Sequence, residues 1–266
     1  MDSDEVVREW MAERRRHPMF NEPNGPSFDS FWEKGASTYS ASSYDRVLND
    51  IVSCMVDEGY VDPGRSLIDI GSGPGTFAAP LSRHCASVLC ADISPGMLAR
   101  IDAMGLPNVT TLLSDCMSLP EIVRDVSFSS LCPPMNCPEG LEVMERTASE
   151  LCVYVSSADP CPGLEIEIWK ALGKDYSYRG YDTRYPARYL ESRGRSPELR
   201  FFSQTNETAE PESVVADRFV RKVSAYRTLA EGEEGIIRGA VADRSEDGTV
   251  RITAEVRLGM LVWEPR

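Results

Sequence analysis

Histidine is scarce in this chain: His17 and His84 are the only two among 266 residues. His17 lies in the run RRRHP, and His84 falls in an expected helix on a face turned away from any strand tip, so no histidine base suggests itself. Positive charge is also short, with 28 Lys and Arg against 42 Asp and Glu and a formal net charge of -14. That balance weighs against a nucleic-acid partner, because phosphate-tracking proteins present a basic face. Long apolar runs are missing too. No stretch is long enough to span a bilayer, and the opening MDSDEVVREWMAERRRHPMF starts acidic, without the apolar core of a signal peptide. The cytoplasm is therefore the expected location, and the eight cysteines are read as reduced thiols. Cys132 and Cys137 are separated by four residues and Cys152 and Cys161 by eight, which does not make the two close pairs of a structural zinc site. No metal is expected.

What the chain does have is alternation. Leu67, Ile68 and Ile70, then Val88 to Ala91, Val109 to Leu113, Val126 to Leu131 and Leu151 to Val155, read as short apolar strands. The intervening TFAAPLSRHC, SPGMLARIDAMG, SLPEIVRD and PEGLEVMERTASE are helix-compatible, with Ser94 and Pro138 at suitable starts. Strands alternating with helices imply a mostly parallel sheet covered on both faces. Upstream, Val47, Leu48, Ile51, Val52 and Met55 share one helical face. Downstream come a helix at LEIEIWKALG, the tyrosine-rich KDYSYRGYDTRYPARYL, a strand at LRFFSQ, a helix around VVADRFVRKVSAYRTL and one or two closing strands in TVRITAEVRLGMLVWEP.

The stretch SLIDIGSGPGTFA, Ser66 to Ala78, sits where the first strand hands over to the first helix. Glycines there permit positive φ and close approach of a ligand to the backbone, and a helix N-terminus offers free N–H groups. A dinucleotide fingerprint, G-x-G-x-x-G/A, fails at Thr76. The loop as written, Asp69-x-Gly71-x-Gly73-x-Gly75, resembles motif I of the class I S-adenosylmethionine-dependent methyltransferases. Two further strand ends match in order: VLCADIS supplies Asp92 and Ile93, and VTTLLSDC supplies Asp115 and Cys116.

The resemblance implies S-adenosylmethionine as cofactor and assigns the site. Asp92 would take the ribose hydroxyls, Ile93 an adenine face, Asp115 the adenine amino group and the Cys116 N–H a ring nitrogen. Asp69 would act through loop N–H groups or the methionine amino group, with Ser72 in the loop and Ser130 after strand four completing the cofactor set. FWEKGASTYS is similar to the family's lid segment ahead of motif I, and Tyr39 is the residue carried over. The implied fold is a Rossmann-like, doubly wound α/β sheet of seven strands, mostly parallel with its last strand antiparallel, with N-terminal helices and helical additions before the last strands. A single domain over 1–266 is expected, with a helical cap at 1–60, a cofactor-binding core at 61–160 and a substrate-side elaboration at 161–266.

After strand four the chain reads SSLCPPMNCPEG, where amino-methylating relatives carry Asp/Asn-Pro-Pro-aromatic. The prolines are present, but a thiol and a thioether replace the polar and stacking residues, which argues against nucleobase methylation. Cys132, Met135, Tyr178 and Tyr181 are the expected substrate-side residues, with Asp175, Tyr176 and Asp182 as further candidates if a base is needed. A small-molecule acceptor is expected. The alternatives are a methyltransferase acting on RNA or protein, and a cofactor-binding protein of the same fold without catalysis.

Overall fold

The structure, a computed structural model, describes residues 2–21, 32–33, 45–160 and 162–266. Apolar runs form the centre of it. β1 (Ser66–Ile70), β2 (Ser87–Asp92), β3 (Val109–Leu113), β4 (Arg124–Ser130) and β5 (Ala148–Ser157) pair in parallel, in the spatial order β3-β2-β1-β4-β5. β1 is covered on both faces, with Leu67 in one apolar cluster and Ile68 and Ile70 in another. That explains why it is apolar almost throughout instead of alternating with polar residues.

Beyond β5 the chain adds β6 (Glu198–Pro211), the two-residue β7 (Ser245–Glu246) and β8 (Thr249–Trp263). β8 runs antiparallel to β5 and to β6, and β7 pairs with it off the main path. The expected mostly parallel sheet with an antiparallel last strand is present. LRFFSQ, however, opens a much longer strand. Its second half, TNETAEP, has no apolar alternation to read because it pairs only with β8, in a ribbon that runs past the end of β5.

Helices flank the sheet. α1 (Ser3–Arg15), α2 (Pro18–Asn21) and α3 (Asp45–Asp57) precede β1, and α3 buries the expected stripe of Val47, Leu48, Ile51, Val52 and Met55. α4 (Ala78–Leu81) is shorter than TFAAPLSRHC suggests. The carbonyls of Ser82 and Cys85 turn instead to the Asn108 amide, at 2.7 and 3.0 Å. α5 (Pro95–Asp102) starts at the Ser94 cap, whose Oγ accepts from Met97 N at 3.1 Å. No helix forms across SLPEIVRD: a single turn at Cys116–Ser118 ends at Leu119, which is extended (ψ 139°) ahead of Pro120. Proline disfavours helical backbone in the residue before it.

α6 (Pro138–Thr147), α7 (Leu164–Ala171), α8 (Arg184–Ser192), α9 (Glu212–Tyr226) and α10 (Glu233–Ala242) complete the set. α10 has no counterpart in the sequence reading. Trp169, Val215, Phe219, Ile237 and Val241 from α7, α9 and α10 form a separate apolar cluster with Val250 on the ribbon. This cap grows from the carboxyl-end side of the sheet, because the first half of β8, paired with β6 but not with β5, continues beyond the Ser157–Leu258 pairing. No helix among the described residues is long and apolar enough to cross a membrane.

Candidate active site

The strand order reverses between β1 and β4, and parallel sheets accept ligands in the crevice outside the carboxyl ends at such a point. A cavity of about 640 Å³ opens there. Its wall holds Asp69 near the end of β1 with Gly71, Ser72 and Gly73 from the loop that follows, Asp92 and Ile93 at the end of β2, Asp115 and Cys116 after β3, and Ser130 and Cys132 at the end of β4. Ten residues singled out from the sequence thus come together around one space.

The loop geometry explains the glycines. Gly71 adopts φ +72°, and a Cβ on it would overlap the Cys132 sulfur, so the turns after β1 and β4 meet only because no side chain stands between them. Gly73 adopts φ +52° with open space where a Cβ would lie, leaving its backbone exposed to the cavity. Gly75 does not reach the wall and backs onto Ile101 of α5. At the end of β4, Leu131 is a non-glycine residue at φ +49°, a costly conformation that turns the chain sharply into Cys132 and Pro133 beside the cavity.

Asp92 is nearly buried and shapes the loop itself: Oδ2 accepts from Gly73 N at 2.8 Å and Oδ1 from Ser94 N at 2.9 Å. Each oxygen retains a lone pair. Burial raises its pKa, against the pull of those backbone bonds. Asp69, also buried, is pushed up to about 8 by burial and by the Asp92 charge. Two adjacent acids that each favour protonation describe a site short of positive charge. Asp115 is exposed and caps the turn after β3, accepting from Met117 N at 2.8 Å. Ser130 Oγ and Ser72 Oγ are buried without a hydrogen-bond partner, the second with only the Cys90 thiol beside it. An orphaned buried hydroxyl on a cavity wall is satisfied when a polar ligand occupies the space.

The remaining expected residues lie elsewhere. Met135 is fully buried in the core beside Val6 and Trp10. Tyr178 and Tyr181 pack edge-on around His17, at ring distances of 4.5 and 4.8 Å, and neither lines the cavity. Burial lifts both phenols well above their ordinary range, so neither supplies a base near neutral pH. Asp175 and Asp182 are bound to Arg16 and Arg184. Tyr39 lies outside the described residues, as does Cys161. The described cysteines are all free thiols, and among the described residues no cluster of metal-ligating side chains occurs.

Sequence reasoning passed over Arg14, Trp32, Leu48 and Met97, which also line the wall. Trp32 belongs to the quoted lid segment. Arg14 carried a signal of its own, since it continues the Val6–Trp10 stripe at the i+4 helical spacing. His17 was set aside, yet it is buried and neutral, its pKa pushed down to about 3 by burial and by the charges of Lys222 and Arg14.

Residues 67–148, β1 to the start of β5, match the family model described as a methyltransferase domain. The chain carries a methyltransferase domain. Its fold is the class I Rossmann-like fold. Solved structures of the same architecture include BH2331 of Bacillus halodurans C-125, assigned as a methyltransferase, at TM-score 0.54 and 12% identity over 80% of this chain and 98% of that one. YcgJ of Bacillus subtilis aligns at TM-score 0.53 and 13% identity, over 81% and 97%. DhpI in complex with SAM and HEP aligns at TM-score 0.50 and 16% identity, over 66% and 94%. A search of curated proteins finds no match.

Proposed function

We propose that this methyltransferase moves the methyl group of S-adenosylmethionine to a small molecule seated over the turn after β4. The carrying observation is the gathering of Asp69, Gly73, Asp92, Asp115 and the orphaned Ser130 hydroxyl around one cavity at the strand tips. In this reading Asp92 receives the ribose hydroxyls with its remaining lone pairs. Ile93 covers an adenine face, Asp115 accepts from the adenine amino group, and the Cys116 N–H meets a ring nitrogen. Asp69 neutralises the methionine ammonium, and the Ser72 and Ser130 hydroxyls gain their missing partners. DhpI, on the same fold at low identity, holds SAM.

The bound cofactor supplies an already activated methyl group, so this chain's work is to hold, orient and desolvate. The described wall contains no histidine, and the Cys132 thiol is raised well above its ordinary range by the adjoining Cys116 thiol and by burial. A reaction driven by positioning suits that lining.

A macromolecular acceptor with a phosphate backbone fits less well. The basic stretch from Arg179 to Arg195 is largely spent internally, with Arg184 on Asp182 and Asp159, Arg188 on Glu9 and Arg195 on Glu145. Arginines so engaged cannot release counterions from a nucleic acid, the process that dominates such affinity. The test offers labelled S-adenosylmethionine with total RNA, DNA, protein extract and deproteinised metabolites in parallel. Label in the metabolites is expected. Salt-sensitive label confined to RNA would overturn the small-molecule assignment, and cofactor binding without any turnover would favour the non-catalytic reading.

A further inference from the structure

Among the described residues Arg14 is the one arginine on the wall of the cavity that also carries Asp69, Asp92 and Asp115. Its guanidinium lies 4.0 Å from the Phe20 ring centre, and Nη2 donates to Pro133 O at 3.2 Å. Nε is buried and donates to nothing, and no carboxylate stands within ion-pair distance of Arg14 among the described residues. The titratable groups that face it are His17, Tyr181 and Cys137. All are uncharged at neutral pH: His17 because its proton is lost above about pH 3, the phenol and the thiol because burial raises them.

The arginine is also held in place. Trp10 Nε1, one turn earlier on α1, bonds Asn136 Oδ1 and Gly180 O, both at 3.1 Å, tying the helix to the turn after β4 and to the 179–181 turn. A Cβ on Gly180 would collide with the Arg14 backbone, so only glycine lets these segments close. In a chain with 42 acidic residues, a fixed cation that pairs with no carboxylate among the described residues, while the titratable groups facing it are neutral, is a costly arrangement. Arg also presents a planar donor set matched to a carboxylate.

We propose that Arg14 binds a carboxylate of the acceptor, so that the substrate class is a small organic acid. The inference rests on the methyltransferase reading of this cavity. The carboxylate would be the acceptor's and not the cofactor's because Arg14 comes from α1, outside the matched 67–148 segment, and donates to Pro133 in the turn after β4, over which the acceptor is placed. The anchored carboxylate is distinct from the atom that accepts the methyl group.

The experiment separates deproteinised metabolites on an anion exchanger and offers the retained and unretained fractions with labelled S-adenosylmethionine to wild-type protein, Arg14→Gln and Arg14→Lys. Binding of S-adenosylhomocysteine and of 5′-methylthioadenosine, which lacks the amino-acid part, is measured on each. The expected result is label from the retained fraction only, reduced about 10–100-fold in Arg14→Gln as one charge-assisted pair is lost. Arg14→Lys should recover part of it, and S-adenosylhomocysteine affinity should stay within about twofold. Label from the unretained fraction alone, or from neither, overturns the proposal. So does Arg14→Gln losing affinity for S-adenosylhomocysteine while keeping that for methylthioadenosine, which would give Arg14 to the cofactor's carboxylate. Wild-type protein that fails to bind S-adenosylhomocysteine would be a failure of the methyltransferase reading itself, a different outcome.

Discussion

The cavity at the tips of β1 to β4 and the cap on the β6–β8 ribbon treat charge in opposite ways. In the cap, ionised groups are matched: Glu165, nearly buried, receives both Lys222 Nζ and the Tyr178 hydroxyl, and Arg227, Arg238 and Arg244 each meet a glutamate. In the cavity, among the described residues, Asp69 and Asp92 press on one another with no cation paired to either, and Arg14 has no anion paired to it. Matched charge is complete before anything binds, so it belongs to the scaffold. Unmatched charge at a cavity wall leaves a deficit that a ligand of known sign can fill.

The largest effect expected from this contrast is at Asp92. Asp92→Ala removes the predicted ribose contacts, each charge-assisted bond contributing about 1.5–3 kcal/mol. S-adenosylhomocysteine affinity should fall roughly 100-fold or more by calorimetry. Asp92→Asn, which keeps an oxygen for Gly73 N or Ser94 N, separates loss of the ligand from collapse of the loop. Unchanged affinity in both variants would erase the distinction between the two regions.

Next in size is a pH effect at Asp69. Its folded pKa, pushed up to about 8, exceeds the ordinary carboxylate value, so the folded protein holds a proton there that the unfolded chain has released. Stability without ligand should therefore fall as pH rises toward 8. His17 acts in the opposite sense: its folded pKa of about 3 makes the unfolded chain bind the extra proton between about pH 3 and 6.5, so its contribution is lost as pH falls through that window. The clean window for Asp69 is thus pH 6.5 to 8. Across it, S-adenosylhomocysteine affinity should rise up to about tenfold per pH unit, because the ligand ammonium favours the ionised acid. Thermal melts and calorimetry at stepped pH should both flatten in Asp69→Asn.

In the cap, Lys222→Met strands the Glu165 carboxylate with the Tyr178 hydroxyl alone. Breaking a fully buried pair costs several kcal/mol, but Lys222 is half exposed, so about 1–3 kcal/mol of stability is expected. Adding Glu165→Gln should recover much of that in urea denaturation. Cofactor affinity should stay within about threefold in both, and a large loss would mean that the cap shapes the cavity after all.

Sequence legibility divides along the same line. Asp69, Gly71, Gly73, Asp92 and Asp115 were readable because a strand followed by a loop fixes where each side chain goes with only local information. The helical stripe of α3 was readable for the same reason. Tyr178 and Tyr181 were misdirected toward the acceptor because their positions depend on His17, more than 150 residues earlier in the chain. The outer half of β6 had no apolar alternation to announce it, and α10 contributes only Ile237 and Val241 as buried residues. Arg14 was passed over because, although it continues the Val6–Trp10 stripe, its place at the cavity depends on Gly180 and Asn136, distant in the chain, closing on α1.

The smallest expected effect tests the other half of the contrast. Arg238 on α10 reaches Asp217 at 2.7 Å and Glu234 at 2.8 Å, with all three side chains between 42% and 56% exposed. Solvent screens such pairs, and holding long side chains in one geometry costs entropy that offsets the attraction. Arg238→Ala should accordingly change stability by less than about 1 kcal/mol and leave S-adenosylhomocysteine affinity unmoved. Urea denaturation at low and high salt is the decisive measurement, since a real contribution from the pair would shrink as salt rises. A salt-dependent loss well above 1 kcal/mol would show that the cap depends on its surface ion network. Charge in the cap would then hold the fold together cooperatively, as a coupled set whose members cannot be judged pair by pair.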